Sequence, residues 1–438
     1  MGEKLYKSVK EIPDDIDHAV IIIPARFVPE AVRECGEKGI KVVSILSSGF
    51  SEIGNVELEE QVKKIAKNFG IRVIGPNGLG VYDPYTGVDT LFIPKTKMLD
   101  GEEVINLARP DKGYIAFLTQ SGALGGVLLD YVAGEGLGIS KFVSWGNKID
   151  VDESEMMLFL LEDPNTRVIV IYIESMKGDG RRVVDIGSKV SLKKPIVILK
   201  GGVTSAGARA TLSHTASLAG NIEIYYAAFR RMGAIIAESP MDMLDKAKAL
   251  AFQPPARGNR VGIVTNGGGP GIILADIAER SGLVVPELSR ETLDRLKRYV
   301  AEGIIPDIAT FSNPIDISGT GTDEAYVAAT EAMLDDDRID IVIILALHHP
   351  PTLTVELPKK LINVLQDARK PALVVDIGLL GLSNLVRSEF DNSSIPSYTL
   401  PERAVSGACA LVQYGTWLKK KRMLEKYLES WECPRKQY

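Results

Sequence analysis

Two stretches of this chain carry the same pattern of residues at a constant offset. Tyr114 onward reads YIAFLTQSGALGGVLLDYVAGEGL, and Arg260 onward reads RVGIVTNGGGPGIILADIAERSGL. Thr119, Gly122, Gly125, Leu128, Asp130, Gly136 and Leu137 recur as Thr265, Gly268, Gly271, Leu274, Asp276, Gly282 and Leu283. Each stretch is an apolar strand, a glycine turn, and a run with apolar residues at helical spacing. A strand that passes through a tight turn into a helix commits the chain to parallel sheets with right-handed crossovers. Each turn also offers backbone N–H groups and the positive end of a helix to an anion. The alternative is two related domains with tight turns and no ligand.

The rest of the chain keeps this alternation. After Tyr114–Leu118 come apolar strands over 141–144, 168–173, 195–199 and 235–236, with helical patterns between them. Five such strands predict a flavodoxin-like sheet. After Pro254-Pro255 a third alternation follows, with strands over 260–265, 340–346 and 371–376. Ahead of both lies a βαβαβ rhythm, with strands over 18–23, 41–46 and 71–74. Ligands of such sheets bind beyond the carboxyl ends of the strands. Three turns fall there, Pro24-Ala25, Ser47-Ser48-Gly49 and Pro76-Asn77. They are either ligand contacts or ordinary turn residues. The expected fold class is α/β, with three consecutive parallel-sheet domains. A partial Rossmann-like domain over 1–111 precedes two flavodoxin-like domains over 112–253 and 258–415, and a helical tail covers 416–438. No glycine-rich turn precedes the first strand, so the first βα unit is expected to be missing or supplied otherwise.

Between the strand Pro195–Leu199 and the helical run from Ile222, residues 200–221 read KGGVTSAGARATLSHTASLAGN. This is expected to be a loop, and long loops in compact domains are usually functional. His214 lies in it among small residues that give it little cover. Glu174 ends a fully apolar strand, where a carboxylate needs a partner. Both leave the same sheet edge, so the pairing of Glu174 with His214 is expected. The carboxylate accepts a hydrogen bond from one imidazole nitrogen and leaves the other as a nucleophile. A helix-capping or surface role for Glu174 is the alternative. The adjacent pair His348-His349 points to opposite faces of a strand and does not chelate a metal together.

The net charge of −6 and the absence of a dominant basic patch argue against a nucleic-acid partner. No apolar run approaches the ~20 residues of a membrane span. Cys35, Cys409 and Cys433 lie far apart and form neither a disulfide framework nor a metal motif, which fits a reducing, cytoplasmic setting.

Several motifs match one family. They are Ile23-Pro24-Ala25, Ser48-Gly49-Phe50, Gly75-Pro76-Asn77, Gln120 to Gly125, and Gly146-Asn147 with Asp150 and Asp152. To these add Ser213-His214-Thr215, Asn266 to Gly271, and Asn313-Pro314-Ile315-Asp316. On these motifs the chain resembles the α subunit of ADP-forming acyl-CoA synthetases, the acetate–CoA ligase group, relatives of succinyl-CoA synthetase. The resemblance implies a phosphohistidine at His214, oriented by Glu174. It implies phosphate-holding turns at Ser121, Gly122 and Ala123 and at Gly267, Gly268 and Gly269. It places CoA against Pro24, Ala25, Leu46, Ser47 and Ser48, with Asn77 near the thioester. Succinyl-CoA synthetases carry a tyrosine five residues after the serine of the first turn. Gly126 stands there in this chain, which favours a small monocarboxylic acid over succinate.

The implied reaction interconverts acyl-CoA, ADP and phosphate with carboxylic acid, CoA and ATP, through an acyl phosphate. The implied partner is an ATP-grasp β subunit that binds ADP or ATP with Mg²⁺, in a hetero-oligomer such as α2β2. The family's opening glycine turn is absent, so weak binding of CoA by this chain alone is expected. Other functions for such a chain are a CoA-binding or scaffold module without turnover and, more remotely, a dehydrogenase. The last lacks a GxGxxG opening a sheet.

Overall fold

In the computed structural model, residues 5–215, 221–366 and 368–434 are described, and of 212–215 only the backbone. The chain forms two compact units, Met1–Pro240 and Met241–Tyr438.

The first unit opens with a three-stranded parallel sheet of β1 (His18–Ile21), β2 (Val42–Ile45) and β3 (Arg72–Ile74), in that order. Helices α1 (Val28–Lys38) and α2 (Val56–Phe69) are its crossovers. Both end at a left-handed glycine, Gly39 and Gly70, a conformation that costs glycine little. Val28, Val32, Val43, Ile45, Phe50, Val62 and Val73 form the core between sheet and helices.

The next strands depart from the expected domain boundary at 111. β4 (Gly80–Asp83) and β5 (Val88–Asp89) form a hairpin on the edge of the following sheet, where β4 pairs antiparallel with β9 (Ile139–Ser144). A second hairpin, β6 (Thr96–Leu99) with β7 (Glu102–Ile105), forms a two-stranded sheet of its own. Sequence periodicity gave no sign of these strands. Met98, Leu99 and Ile105 are exposed, so no alternation of buried and exposed positions marks them.

The large sheet runs β12-β11-β10-β8-β9-β4-β5. Its strands are β8 (Lys112–Thr119), β9, β10 (Val168–Ile173), β11 (Ile196–Lys200) and β12 (Ile235–Ala237), all parallel, plus the antiparallel hairpin. Taken in chain order, the parallel strands have the flavodoxin-like order 2-1-3-4-5. Helices α3 (Gly122–Gly134), α4 (Glu153–Glu162), α5 (Gly180–Val190), α6 (Ser205–Thr215) and α7 (Ile222–Arg231) connect them. Of the loop expected over 200–221, residues 216–220 lie outside the described residues, and Ser205–Thr215 forms helix α6 instead. Its alanines and short side chains lose little entropy on becoming helical, although Gly207 within it weakens the pattern.

The second unit begins with α8 (Pro240–Phe252). Its sheet runs β14-β15-β13-β16-β17-β18. The strands are β13 (Val261–Thr265), β14 (Thr310–Phe311), β15 (Ile315–Asp316), β16 (Ile341–Ala346), β17 (Ala372–Asp376) and β18 (Ser397–Tyr398). Only β14 is antiparallel, so the same 2-1-3-4-5 order returns with a short edge strand added. Helices α9 (Gly268–Arg280), α10 (Arg290–Ala301), α11 (Asp323–Asp335), α12 (Leu357–Leu365) and α13 (Leu382–Asn392) cover it. Helix α14 (Pro401–Lys420) and the short α15 (Leu424–Glu429) complete the unit. The helical tail expected from 416 is therefore no separate element. Trp417 and Leu418 lie inside α14, which ends on Lys419 and Lys420, where cations favour a helix C-terminus.

The repeat has a packing cause in both units. A Cβ on Gly125 would stand 2.8 Å from Thr119 Cγ2, and one on Gly271 would stand 2.8 Å from Thr265 Cγ2. Each glycine lets its helix lie directly on the last residue of the preceding strand.

Candidate active site

The three turns of the first sheet form one cluster. Ser47 Oγ accepts from the Ile23 amide at 3.0 Å, and the Ser47 carbonyl accepts from the Asn77 amide at 2.9 Å. Ser47 thus ties Pro24-Ala25 to Pro76-Asn77. A Cβ on Gly49 would come within 3.1 Å of Ala25 Cβ, so the second turn lies directly on the first. Pro24 and Ser48 are exposed and Asn77 is half-buried, whereas Leu46 and Ser47 are buried. Leu46 therefore supports the turn from below.

Glu174 follows β10 and is held from two sides. Gln120 Oε1 accepts from the amides of Glu174 at 2.8 Å and Ser175 at 3.0 Å. The Tyr172 hydroxyl donates to Glu174 Oε1 at 3.2 Å. Burial, together with the Glu174 carboxylate, pushes the Tyr172 phenol well up, so it stays a donor. Lys200 Nζ donates to the Glu174 carbonyl at 2.7 Å, and burial lowers its pKa. Gln120 directly precedes the turn Ser121–Ala123, so that turn and the acid share one anchor.

Helix α6 starts five residues beyond β11, the neighbour of β10. It lies against the 3₁₀ turn Ser51–Ile53, just past Ser47-Ser48-Gly49. His214 is in its last turn, and the side chain of His214 lies outside the described residues. The backbone thus brings the histidine's helix, the first-sheet turns and the strand end carrying Glu174 to one edge.

The two glycine turns differ in their caps. In the first, Ser121 Oγ accepts from the Leu124 amide at 3.2 Å and caps α3. In the second, Gly267 is the N-cap and supplies no side chain, and Gly268 and Gly269 are exposed. The amides opening α9 thus lack a side-chain cap. A Cβ on Gly268 would meet Asp316 Oδ2 at 3.0 Å, so a carboxylate stands beside this turn.

Long-range contacts add residues that sequence reasoning missed. Lys148 is buried, pairs with Glu153, and donates to the Ser175 carbonyl at 2.7 Å. Burial lowers its pKa despite the Glu153 charge. Asn147 Nδ2 donates to Glu52 Oε2 at 2.6 Å and to Glu59 Oε2 at 2.8 Å. Asn147 and Gln120 lay in motifs, whereas Lys148 is set by a contact between loops far apart in sequence, and Tyr172 sits two residues before Glu174 on β10. Outside this edge, His348 and His349 lie beyond the end of β16 and not on a strand as expected; His348 is buried with Nδ1 against Asp376 Oδ2, while His349 is exposed. Among the described residues no three His, Cys, Asp or Glu side chains gather as a metal site, and no helix is long and apolar enough to cross a membrane.

Comparison with known proteins follows the same divisions. Residues 1–84 match the CoA binding domain, residues 112–250 the succinyl-CoA ligase like flavodoxin domain, and residues 261–398 the ligase-CoA domain. Acetate–CoA ligase [ADP-forming] II subunit alpha of Pyrococcus furiosus is 36% identical over 419 residues, covering 94% of this chain and 87% of its own. Acetate–CoA ligase [ADP-forming] of Methanocaldococcus jannaschii is 36% identical over 433 residues, covering 98% of this chain and 58% of its own. The Ca. Korarchaeum cryptofilum dinucleotide forming acetyl-coenzyme A synthetase 1, solved with phosphate and ADP, superposes with a TM-score of 0.84. It is 36% identical and covers 98% of this chain and 88% of its own. These three matches, with the relatives above, place the chain in the succinyl-CoA synthetase superfamily. The chain belongs to its ADP-forming acetate–CoA ligase family, as an α subunit, and is an acid–thiol ligase subunit of the ADP-forming acyl-CoA synthetase type.

Proposed function

We propose that this chain carries the acyl-transfer half of the reaction and hands a phosphoryl group to a partner through His214. A phosphate oxygen attacks the thioester carbonyl of a small monocarboxylic acyl-CoA. The C–S bond breaks, and CoA leaves as a thiolate that takes up a proton. The His214 imidazole then attacks the phosphorus of the acyl phosphate, and the P–O bond to the acyl group breaks, releasing the carboxylate. Phospho-His214 passes the group to ADP, which is held with Mg²⁺ by an ATP-grasp β subunit in a hetero-oligomer such as α2β2. Splitting one transfer in two lets separate sites share one phosphoryl group. Positioning and charge stabilisation supply most of the catalysis.

In this reading Glu174 accepts a hydrogen bond from one ring nitrogen of His214 and leaves the other as the nucleophile. The turns Ser121–Ala123 and Gly267–Gly269 each offer amides to a phosphoryl group. Pro24, Ala25, Ser47 and Ser48 contact CoA, and Asn77 lies near the thioester, with Leu46 beneath them. The proposed domain limits are 1–111, 112–253 and 258–415, with the strand exchange at β4 noted above.

The observation that carries this reading is the convergence of Glu174, helix α6 and the Ser47 cluster on one edge. The test is labelling with γ-labelled ATP and Mg²⁺ in the presence of the partner subunit. Acid-labile label is expected on His214, chased to ATP by ADP and to inorganic phosphate by acetyl-CoA formation. Label elsewhere excludes the histidine, and undiminished label in Glu174→Gln excludes the acid's role.

A further inference from the structure

A second polar junction lies a few residues beyond Glu174. Lys177 is on the same loop, and its Nζ donates to Glu59 Oε1 at 3.1 Å and to Ser51 Oγ at 3.1 Å. Its side chain is 29% exposed and that of Glu59 is 9% exposed. Ser51 and Glu59 belong to the first sheet's domain. Ser51 Oγ donates to Glu59 Oε2 at 2.6 Å, and the Ser51 amide reaches the same oxygen at 3.3 Å. Glu52, the next residue, accepts from the amides of Gly49 and Phe50 through Oε1 and from Asn147 through Oε2. A continuous set of bonds therefore runs from the acid's loop, through Lys177, Ser51, Glu59, Asn147 and Glu52, to the turn Ser47-Ser48-Gly49.

Glu174 does not depend on this junction for its own place. Gln120 fixes its backbone and Tyr172 fixes its carboxylate. Lys177 supplies the cation that pairs with Glu59 across to this domain, and Asn147 in turn bridges Glu59 to Glu52, which holds the amides of the turn. We propose that Lys177 is a positioning residue that holds the CoA-contacting turn in register with the acid's loop. It would thereby set the geometry of attack on the thioester and not the basicity of His214. This rests on the reading of the site given above. Lys177 touches no reacting atom; it acts through Ser51 and Glu59.

The two half-reactions separate this role from general damage. Labelling of His214 from acetyl-CoA and ³²P-phosphate needs the CoA turn, and labelling from γ-labelled ATP does not. Lys177→Met keeps the aliphatic stem and removes both donors. In the complex with the partner subunit, its acyl-side labelling is expected to fall about tenfold more than its ATP-side labelling, since small misplacements of a reactant are costly. The apparent KM for acetyl-CoA should rise with it. Lys177→Arg keeps a cation and two donors in reach and should recover most of the loss. Equal losses from both donors, no loss from either, or failure of Lys177→Arg to recover more than Lys177→Met overturns the proposal. Absence of label on His214 from both donors in the unsubstituted complex overturns the underlying reading as well. Undiminished label in Glu174→Gln overturns only the role of the acid.

Discussion

At the residue scale, the site is a carboxylate whose position is over-determined. Glu174 receives a phenol on its side chain and a glutamine oxygen on its amide. The phenol is the more testable of the two. A hydrogen bond to a charged group contributes about 1.5–3 kcal/mol, and every 1.36 kcal/mol of barrier is about tenfold in rate. Tyr172→Phe removes only the hydroxyl, so His214 labelling should slow about tenfold or more with the fold intact by circular dichroism. An unaltered rate means the carboxylate needs no such support. Glu52 makes a prediction about pH. Burial alone raises its carboxyl, but hydrogen bonds from Asn147 and from the amides of Gly49 and Phe50 outweigh burial and hold it below the usual carboxylate range. A carboxyl depressed on folding adds stability above its unfolded pKa and loses it as pH falls through the folded value. Glu52→Gln should therefore be less stable than the unsubstituted chain at neutral pH. The gap should close in acid, below the usual carboxylate pKa of about 4.3, in melting curves taken across that range. Because Glu52 is half-exposed, solvent screening keeps the gap small.

At the scale of elements, the glycine turns combine two demands that look identical in sequence. Gly125 and Gly271 are packing positions, each opposed by the threonine that ends its strand. Alanine at either should cost about 1–3 kcal/mol through overpacking, read as a lower urea midpoint. Gly134 faces open space, and Gly134→Ala should cost nothing measurable. Gly136 and Gly282 are poor controls for any ligand test, because both adopt left-handed φ, +66° and +84°, where a side chain is strained. A Cβ on Gly268 would meet only the Asp316 carboxylate, so this turn is not fixed by packing as Gly271 is.

The same contrast explains what was legible. Continuous apolar runs marked β8, β10, β11, β13, β16 and β17, and the repeat announced two related domains. Helix α6 was hidden by glycine and small residues, and β4 to β7 by exposed apolar positions. Strand β15 covers only Ile315 and Asp316, too few residues for a period, although Asn313 fixes it by accepting the Ile263 amide and donating to the Val261 carbonyl. Of the proposed site, the acid and the histidine stood out because each lay in an unusual local setting. Lys148 and Lys177 did not, since nothing local distinguishes a lysine that will clamp a distant loop, and Gln120 lay in a motif with no role of its own assigned.

At the scale of the whole molecule, the chain builds the same flavodoxin-like order in each unit, and the second unit depends on helix α8. From Met243 to Phe252 every residue of α8 is buried, including Asp245, Lys246 and Lys248. A helix buried all round must pair its charges inside. Asp245 receives Arg403, and Lys246 reaches Asp242. Lys248 donates to Asp391 at 2.9 Å and to the Ser397 carbonyl, with 2% and 9% of the two paired side chains exposed. Burial pushes the Asp391 carboxyl up against the opposing pull of the lysine, so the ammonium is what makes the buried charge tolerable. Lys248→Met leaves that carboxyl without its cation, and breaking a buried pair from one side costs about 3–5 kcal/mol. Asp391→Asn in the Lys248→Met background removes the stranded charge and keeps an oxygen to accept from the Ser397 amide, which Asp391 holds at 2.9 Å. The double variant should therefore unfold at a higher urea concentration than Lys248→Met alone, a coupling that a double-mutant cycle isolates. If the two losses simply add, the pair contributes nothing specific, and α8 is held in the second unit by its apolar residues and the Asp245–Arg403 pair.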